Sequence, residues 1–498
     1  MRRPALCIHG HFYQPPRENP WTGRFEAQPS AAPAHDWNER ITEECYRPNT
    51  AARLLADETR GLPAREQSNY SLMSFDFGPT LLAYLAREQR DVHEALVLAD
   101  RAACRRFSGH GSAIAQSYSH SILPLAGARD RRTEVSWGLL DFELRFGRPS
   151  EGMWLPECAV DSATLEALAD EGLRFTILAA RQASRVRRIG AEKWTDVGPA
   201  SPLDTRAPYL VRLASGRSIA IFFYDGAVAH SVAFGQTFAD AARFLSGLEK
   251  DHGAASGLVH FATDGETYGH HQRFGEMGLA WFLERLERGE GAFDLTVYGQ
   301  YLDRFPPTHE VEIAEKSSWS CEHGVERWRS HCGCSGGRRV GNQNWRGPFR
   351  EALDLLRDLL APVYEREIEP LVRDPWGARD RYAEVLVRRT PRVENLFLDR
   401  EAGRALAEPQ RLRALQLLDM QKHALLMYAS CAWFFDDLSD IEALQAVAHS
   451  ARAIELAGPR EAERITRLYR RALSRAVGND GATGDVVFDR VVTRQRPD

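Results

Sequence analysis

Residues 152–178 read GMWLPECAVDSATLEALADEGLRFTIL. The apolar run Gly152-Met153-Trp154-Leu155 predicts a strand, Asp161 and Ser162 supply a helix N-cap, and Leu165 and Leu168 mark one helical face. Gly172 ends the helix, and Phe175-Thr176-Ile177-Leu178 begins a second strand. Strand, helix and strand in that order make a βα unit. Outward from it, residues 5–8, 218–223 and 258–263 are further strand candidates, each followed at once by polar, chemically capable residues. Apolar runs alternating with helical patterns through the first three hundred or so residues predict an α/β fold with a parallel sheet or barrel, whose active site sits at the strand ends.

Arg304-Phe305-Pro306-Pro307 punctuates the end of this region, and an aperiodic stretch rich in Trp, Cys, His and Gly runs from 317 to 345. Beyond it the periodicity is helical. Phe349, Leu353, Leu356 and Leu360 form one stripe, Ile441, Leu444 and Val447 a second, and Ile465, Leu468 and Leu473 a third, with Gly458-Pro459 between the last two. The polar tail from Gly478 is expected to fray.

A chain of 498 residues exceeds what one hydrophobic core usually supports, which predicts a large domain plus at least one smaller one. Its 43% hydrophobic and 27% charged residues describe an ordinary soluble enzyme. Lys+Arg 64 against Asp+Glu 69 leaves a net charge of -5, so nothing electrostatic points to nucleic acid or an anionic membrane as partner. The N-terminal apolar run is cut off by His9, too short for a signal-peptide core, and eight sparse cysteines suit a reducing compartment, so the expected location is cytoplasmic.

Three clusters carry candidate chemistry. His9-Gly10-His11 follows the first strand, and residues two apart in an extended segment point the same way, so both imidazoles face one pocket. They either hydrogen-bond sugar hydroxyls or bind a metal, unless they are simply satisfied at a strand end. Trp154-Leu155-Pro156-Glu157 places a carboxylate after a strand, beside an indole able to stack on a pyranose ring. The run from Thr263 to His271 holds Asp264, Glu266, His270 and His271 around two glycines, a density costly to desolvate without a purpose. Glu157 with Asp264 makes the carboxyl pair that a glycosidase needs.

Five short motifs in order resemble those of glycoside hydrolase family 57: residues 9–15, 118–124, 154–157, 264–270 and 430–434. The resemblance implies an irregular (β/α)7 catalytic barrel over residues 1–310, a connecting segment over 311–346, and a helical bundle over 347–498 that completes the cleft. It also implies a retaining hydrolase or transglycosylase acting on α-glucans such as starch, glycogen or maltooligosaccharides, without a cofactor. Glu157 falls on the nucleophile and Asp264 on the acid/base. His9, His11, His120, Trp154 and Trp433 fall on substrate-binding positions, joined by Glu266 and His270 beside the acid, with Glu266 expected to raise the Asp264 pKa. The fifth motif usually has an acid just before its Trp, where this chain has Ala432.

Cys321, Cys332 and Cys334, with His323 and His331 between them, have an unorthodox spacing. They read as reduced thiols in a packed loop rather than as a zinc site, so no metal is expected. A metal-dependent polysaccharide deacetylase is the rival enzyme, but its paired histidines on successive helical turns have no counterpart among the 16 histidines. A glycan-binding protein without turnover is the rival from another class, and retention of both carboxylates argues against it.

Overall fold

The computed structural model describes residues 3–56, 61, 63–254, 256–337 and 341–496. The chain divides into two compact units, the first made of Met1–Gln14, Ala27–Gln116 and Arg145–Glu315, the second of Pro15–Glu26, Ser117–Leu144 and Lys316–Asp498.

The first unit is built on seven parallel strands whose spatial order follows their order in the chain: β1 (Ala5–Phe12), β2 (Ser74–Phe77), β3 (Ala113–Gln116), β4 (Met153–Trp154), β5 (Phe175–Ala179), β6 (Ser218–Tyr224) and β7 (Leu258–Asp264). β1 pairs with β2 on one side and β7 on the other, β2 pairs with β3, β3 with β4, and β5 with β6. A parallel bridge between Gly152 and Phe175 links β4 to β5, and Asp225 N, just past β6, donates to His260 O on β7 at 2.9 Å. The strands so linked curl into an irregular α/β barrel, one of the two arrangements, parallel sheet or barrel, that the apolar runs leave open. Its strands read as continuous hydrophobic stretches because both faces are covered. Leu6, Ile8, Ile177, Ile221 and Phe261 are all at most 1% exposed, each contributing about 1.5–3 kcal/mol of burial. A side sheet of Tyr209–Arg212, His309–Ile313 and Ala183–Arg188 extends from β6.

The βα unit read from the sequence is present. Asp161 caps α1 (Ser162–Asp170) by accepting from Thr164 N at 2.8 Å, and Gly172 turns the chain with φ +79°.

The second unit is helical, with α2 (Arg346–Ile368), α3 (Glu408–Leu426), α4 (Cys431–Phe434), α5 (Ile441–Leu456), α6 (Pro459–Leu473) and α7 (Gly484–Gln495) among its elements. The stripe Phe349, Leu353, Leu356, Leu360 on α2 is fully buried. The other two stripes differ from their reading. Ile441 and Leu468 are 40% and 38% exposed, while Ala443, Ala446 and Val447 on α5 and Ile465, Tyr469 and Leu473 on α6 form the buried faces. Alanines let α5 approach α3 closely, and there His423 and His449 meet Nδ1 to Nδ1 at 2.9 Å. The tail expected to fray instead forms α7, which buries Val487, Phe488 and Val491. Among the described residues no helix is long and apolar enough to cross a membrane.

Candidate active site

Because the seven strands are parallel, their C-terminal ends lie at one rim. Register fixes what stands there: His11 pairs with Asp264 and with Asp76, Asp76 with Ile114, and Gln116 with Trp154. The site is assembled from these ends and the loops that follow them.

The centre is a buried triad absent from the sequence reading. Asp76 on β2 is fully buried and takes His9 Nε2 at 3.0 Å on one oxygen and His11 Nδ1 at 2.9 Å on the other. An ionised carboxylate only accepts, so both facing ring nitrogens carry protons, and Ser74 Oγ at 3.0 Å donates to the remaining His9 nitrogen. His9 thus has both nitrogens engaged inside the barrel. Burial holds its pKa below the usual imidazole range despite Asp76, leaving it neutral. His11 goes the other way. Burial disfavours its cation, but Asp76, Asp264 and Glu266 together outweigh that and lift it to about 9. At neutral pH His11 is an imidazolium beside the carboxyl of Asp264. Trp154, fully buried, lies with both imidazoles 4.9 Å from its indole at an interplanar angle of 19°.

Asp264 ends β7 and stays open to solvent while surrounded by protein atoms. Desolvation raises its carboxyl above the usual range, opposed by the His11 cation and assisted by Asp76. Gly265 follows because a Cβ there would lie 2.3 Å from Phe12 Cδ1. Glu266 is buried and accepts from Tyr46 Oη at 2.6 Å and Tyr13 N at 3.2 Å. Burial pushes it up to about 7, with the Tyr46 bond opposing and Asp264 adding. Asp264 is among the charges that raise Glu266, and Asp76 is among those that raise Asp264; repulsion between neighbouring carboxylates acts on both members of a pair. His270 turns to Glu44 and stands edge-on to Trp37, 6.2 Å between centroids.

Glu157 follows β4 in a short turn and is half-buried. Its φ is +57° and that of Cys158 is +49°, two consecutive left-handed residues without a glycine. Such geometry costs about 1–3 kcal/mol per residue and persists where surroundings enforce it. Here Gln182 Nε2 holds Cys158 O at 2.7 Å. Burial pushes the Cys158 thiol up, and the charges of Glu157, Asp76 and Asp264 push it further. Three carboxylates from three different strand ends therefore act on one sulfur. That convergence is the electrostatic signature of the rim, and a groove of about 1210 Å3 lined by Arg53, Phe238, His271 and Trp281 elsewhere on the unit contains none of the three.

Residues 10–314 match the description Glycosyl hydrolase family 57. The chain belongs to that family. Residues 341–498 also match a domain of unknown function (DUF3536). No curated relative matches the sequence. Among solved structures it is similar to an exo-type maltose-forming amylase from Pyrococcus sp. ST04, at 17% identity and a TM-score of 0.67 over 98% of this chain and 88% of that one. It is also similar to a family 57 branching enzyme from Thermococcus kodakaraensis, at 16% identity and 0.55 over 100% and 95% of the two chains. A 4-alpha-glucanotransferase from Thermococcus litoralis gives 15% and 0.55 over 92% and 60%.

Of the five family 57 motifs, the first, third and fourth meet in the barrel unit. The second and fifth meet in the helical unit. There His120, with φ +58°, places Nδ1 2.7 Å from Ser430 Oγ, and Ser430 N donates to His120 O at 3.0 Å. Trp433 is fully buried, donating through Nε1 to Arg346 O at 3.2 Å with Phe349 at 5.0 Å between centroids. Ala432 is buried, and the two acids that follow it are engaged by other groups. Asp436 accepts from Gly336 N at 2.9 Å and Gln343 Nε2 at 3.2 Å, and Asp437 from Ser439 and Asn479. Besides Asp76, the sequence reading missed Gln116, whose buried amide makes no hydrogen bond among the described residues. Asp76 lies inside the run Ser74-Phe75-Asp76-Phe77 and Gln116 closes Ala113-Ile114-Ala115-Gln116, two runs too short to mark either residue in the sequence.

Proposed function

We propose that this chain is a retaining α-glucan hydrolase or glucanotransferase in which Glu157 is the nucleophile and Asp264 the acid/base. The observation carrying the proposal is geometric: Asp264 pairs in register with His11, His11 stacks on Trp154 at 4.9 Å, and Glu157 stands in the turn just after Trp154, so both carboxyls belong to one rim, with that of Asp264 raised by burial. A proton donor needs that raised pKa and a nucleophile needs to stay ionised. In the first step Glu157 attacks the anomeric carbon, the glycosidic C–O bond breaks, and Asp264 gives its proton to the leaving oxygen. In the second, Asp264 takes a proton from incoming water or a sugar hydroxyl, which displaces Glu157 from the anomeric carbon. Family membership and the activities named for the similar amylase, branching enzyme and glucanotransferase support an α-glucan as substrate. His11 is assigned to the sugar side of the triad, with Asp76 and His9 as its positioning residues and Trp154 as the plate behind them. Eight free thiols fit a cytoplasmic setting.

Incubation with maltooligosaccharides and amylose, followed by NMR of the first-formed anomer, tests this reading. Retained α-configuration is expected, with longer chains if a sugar accepts. Initial formation of the β-anomer, or no turnover of any α-glucan, overturns it.

The electrostatics give a pH prediction with a definite sign. Asp264 acts as an acid only while protonated, so kcat/KM falls as pH rises through its pKa. The His11 cation lowers that pKa. His11→Gln removes the cation, and the alkaline limb of kcat/KM moves to higher pH even as the rate drops. A pH–rate profile of the variant whose alkaline limb moves down contradicts the assignment.

A further inference from the structure

We propose that Cys321, His323, Cys332 and Cys334 bind one structural zinc ion in the helical unit. One donor atom from each lies within 4.8 Å of every other. Cys321 Sγ is 3.9 Å from Cys332 Sγ and 3.8 Å from Cys334 Sγ, and Cys334 Sγ is 3.6 Å from His323 Nδ1. Tetrahedral zinc, with bonds of about 2.3 Å to sulfur and 2.0–2.1 Å to nitrogen, sets ligand edges of roughly 3.8 Å between sulfurs and 3.6 Å from sulfur to nitrogen. These three separations match those edges. A disulfide needs about 2.05 Å between sulfurs, and all three thiols are free. Three soft thiolates and an imidazole favour zinc over the hard cations that oxygen ligands select.

The spacing Cys-x-His, eight residues, Cys-x-Cys is unorthodox, and the backbone shows how it works. Ser318 Oγ accepts from Cys321 N at 3.3 Å and donates to Gly324 O at 2.7 Å, folding the first pair into a tight turn. Gly324 has φ +76°, and a Cβ on it would lie 2.3 Å from Lys316 O. Gly333, with φ +86°, turns the chain between the second pair. His331, the other histidine in the segment, is committed elsewhere, its Nδ1 accepting from Gln343 N at 3.3 Å. Regular structure between 317 and 345 amounts, among the described residues, to the single turn Glu326–Trp328. A segment so poor in backbone ladders gains from a cross-link.

What the cross-link holds is the fifth-motif segment. Trp328 Nε1 donates to Ser430 O at 3.2 Å, Arg346 Nη1 to Cys334 O at 3.0 Å, and Arg346 Nη2 to Phe435 O at 3.1 Å. The ion braces α4 through this loop and takes no part in the carboxylate chemistry of the barrel.

The test is elemental analysis of the full-length protein produced with zinc in the medium and purified without chelator, with about one zinc per chain expected. Replacing the zinc of the wild-type protein by Co(II) is expected to give intense visible d–d bands and thiolate-to-cobalt charge-transfer absorption. Cys334→Ser and His323→Ala are expected to lower zinc retention, and Cys104→Ser, outside the cluster, to leave it unchanged. Zinc in fewer than about one chain in ten together with no tetrahedral Co(II) spectrum of the wild-type protein overturns the proposal. So does a Cys321–Cys332 or Cys321–Cys334 disulfide found by mass spectrometry of air-free protein, or iron in place of zinc. The Co(II) spectrum needs no variant, so a misfolding substitution leaves the proposal falsifiable. Loss of glucan turnover with the site intact would bear on the carboxylates instead.

Discussion

Glu157→Gln is expected to lower kcat/KM on maltooligosaccharides by at least about 10^4-fold and to leave the folded state intact, because in the proposed reaction it removes the atom that bonds to the anomeric carbon. Gln has nearly the same shape, so it accepts the left-handed backbone of Glu157 without new strain. Asp264→Asn costs somewhat less, about 10^2 to 10^4-fold, the range of one positioned proton donor. The two variants separate by substrate. A leaving group that departs without a proton, such as fluoride, restores the first step in Asp264→Asn and restores nothing in Glu157→Gln. Steady-state kinetics on both substrates, with circular dichroism to confirm folding, checks the pattern, and equal rescue of both variants would contradict the roles.

Asp76→Asn produces the second large effect, this time in stability as well as rate. Asp76 is the shared acceptor for two buried imidazoles, one of them cationic. Breaking a buried pair by removing one partner costs about 3–5 kcal/mol. Its pH dependence follows from His11. A histidine whose pKa rises from 6.5 to about 9 on folding stabilises fully below 6.5, and that stabilisation is lost as pH rises through about 9. Urea unfolding at pH 6 and pH 10 therefore shows a large gap between wild type and Asp76→Asn at the lower pH and a smaller one at the higher. A gap that widens with pH contradicts an ion pair at this position.

The strands with long apolar runs were legible without coordinates, since β1, β5, β6 and β7 are buried on both faces and each is at least five residues long. β2 and β3 were not, for both are four residues long and end on a polar side chain or next to one. That brevity hid Asp76. A single acid in Ser74-Phe75-Asp76-Phe77 gains its meaning only from the register that sets it opposite His11. Glu157 and Asp264 drew attention because each stands at the end of a readable strand, where the structure also places them. On α5 and α6 the largest aliphatics drew attention to Ile441 and Leu468, whereas close helix packing selects alanine and the tyrosine whose hydroxyl reaches Ser450 at 2.9 Å. The cysteine cluster escaped spacing rules because its two turns rest on glycine conformations that a ligand pattern does not encode.

The central claim is that Glu157 and Asp264 act on the two ends of one glycosidic bond. Trapping tests it most directly: Asp264→Asn is incubated with α-glucosyl fluoride, quenched, digested and sequenced by mass spectrometry. Without its base the second step stalls, so one glucosyl group accumulates as an ester on Glu157. A label on another carboxylate, or none while fluoride is released in excess over enzyme, contradicts the account.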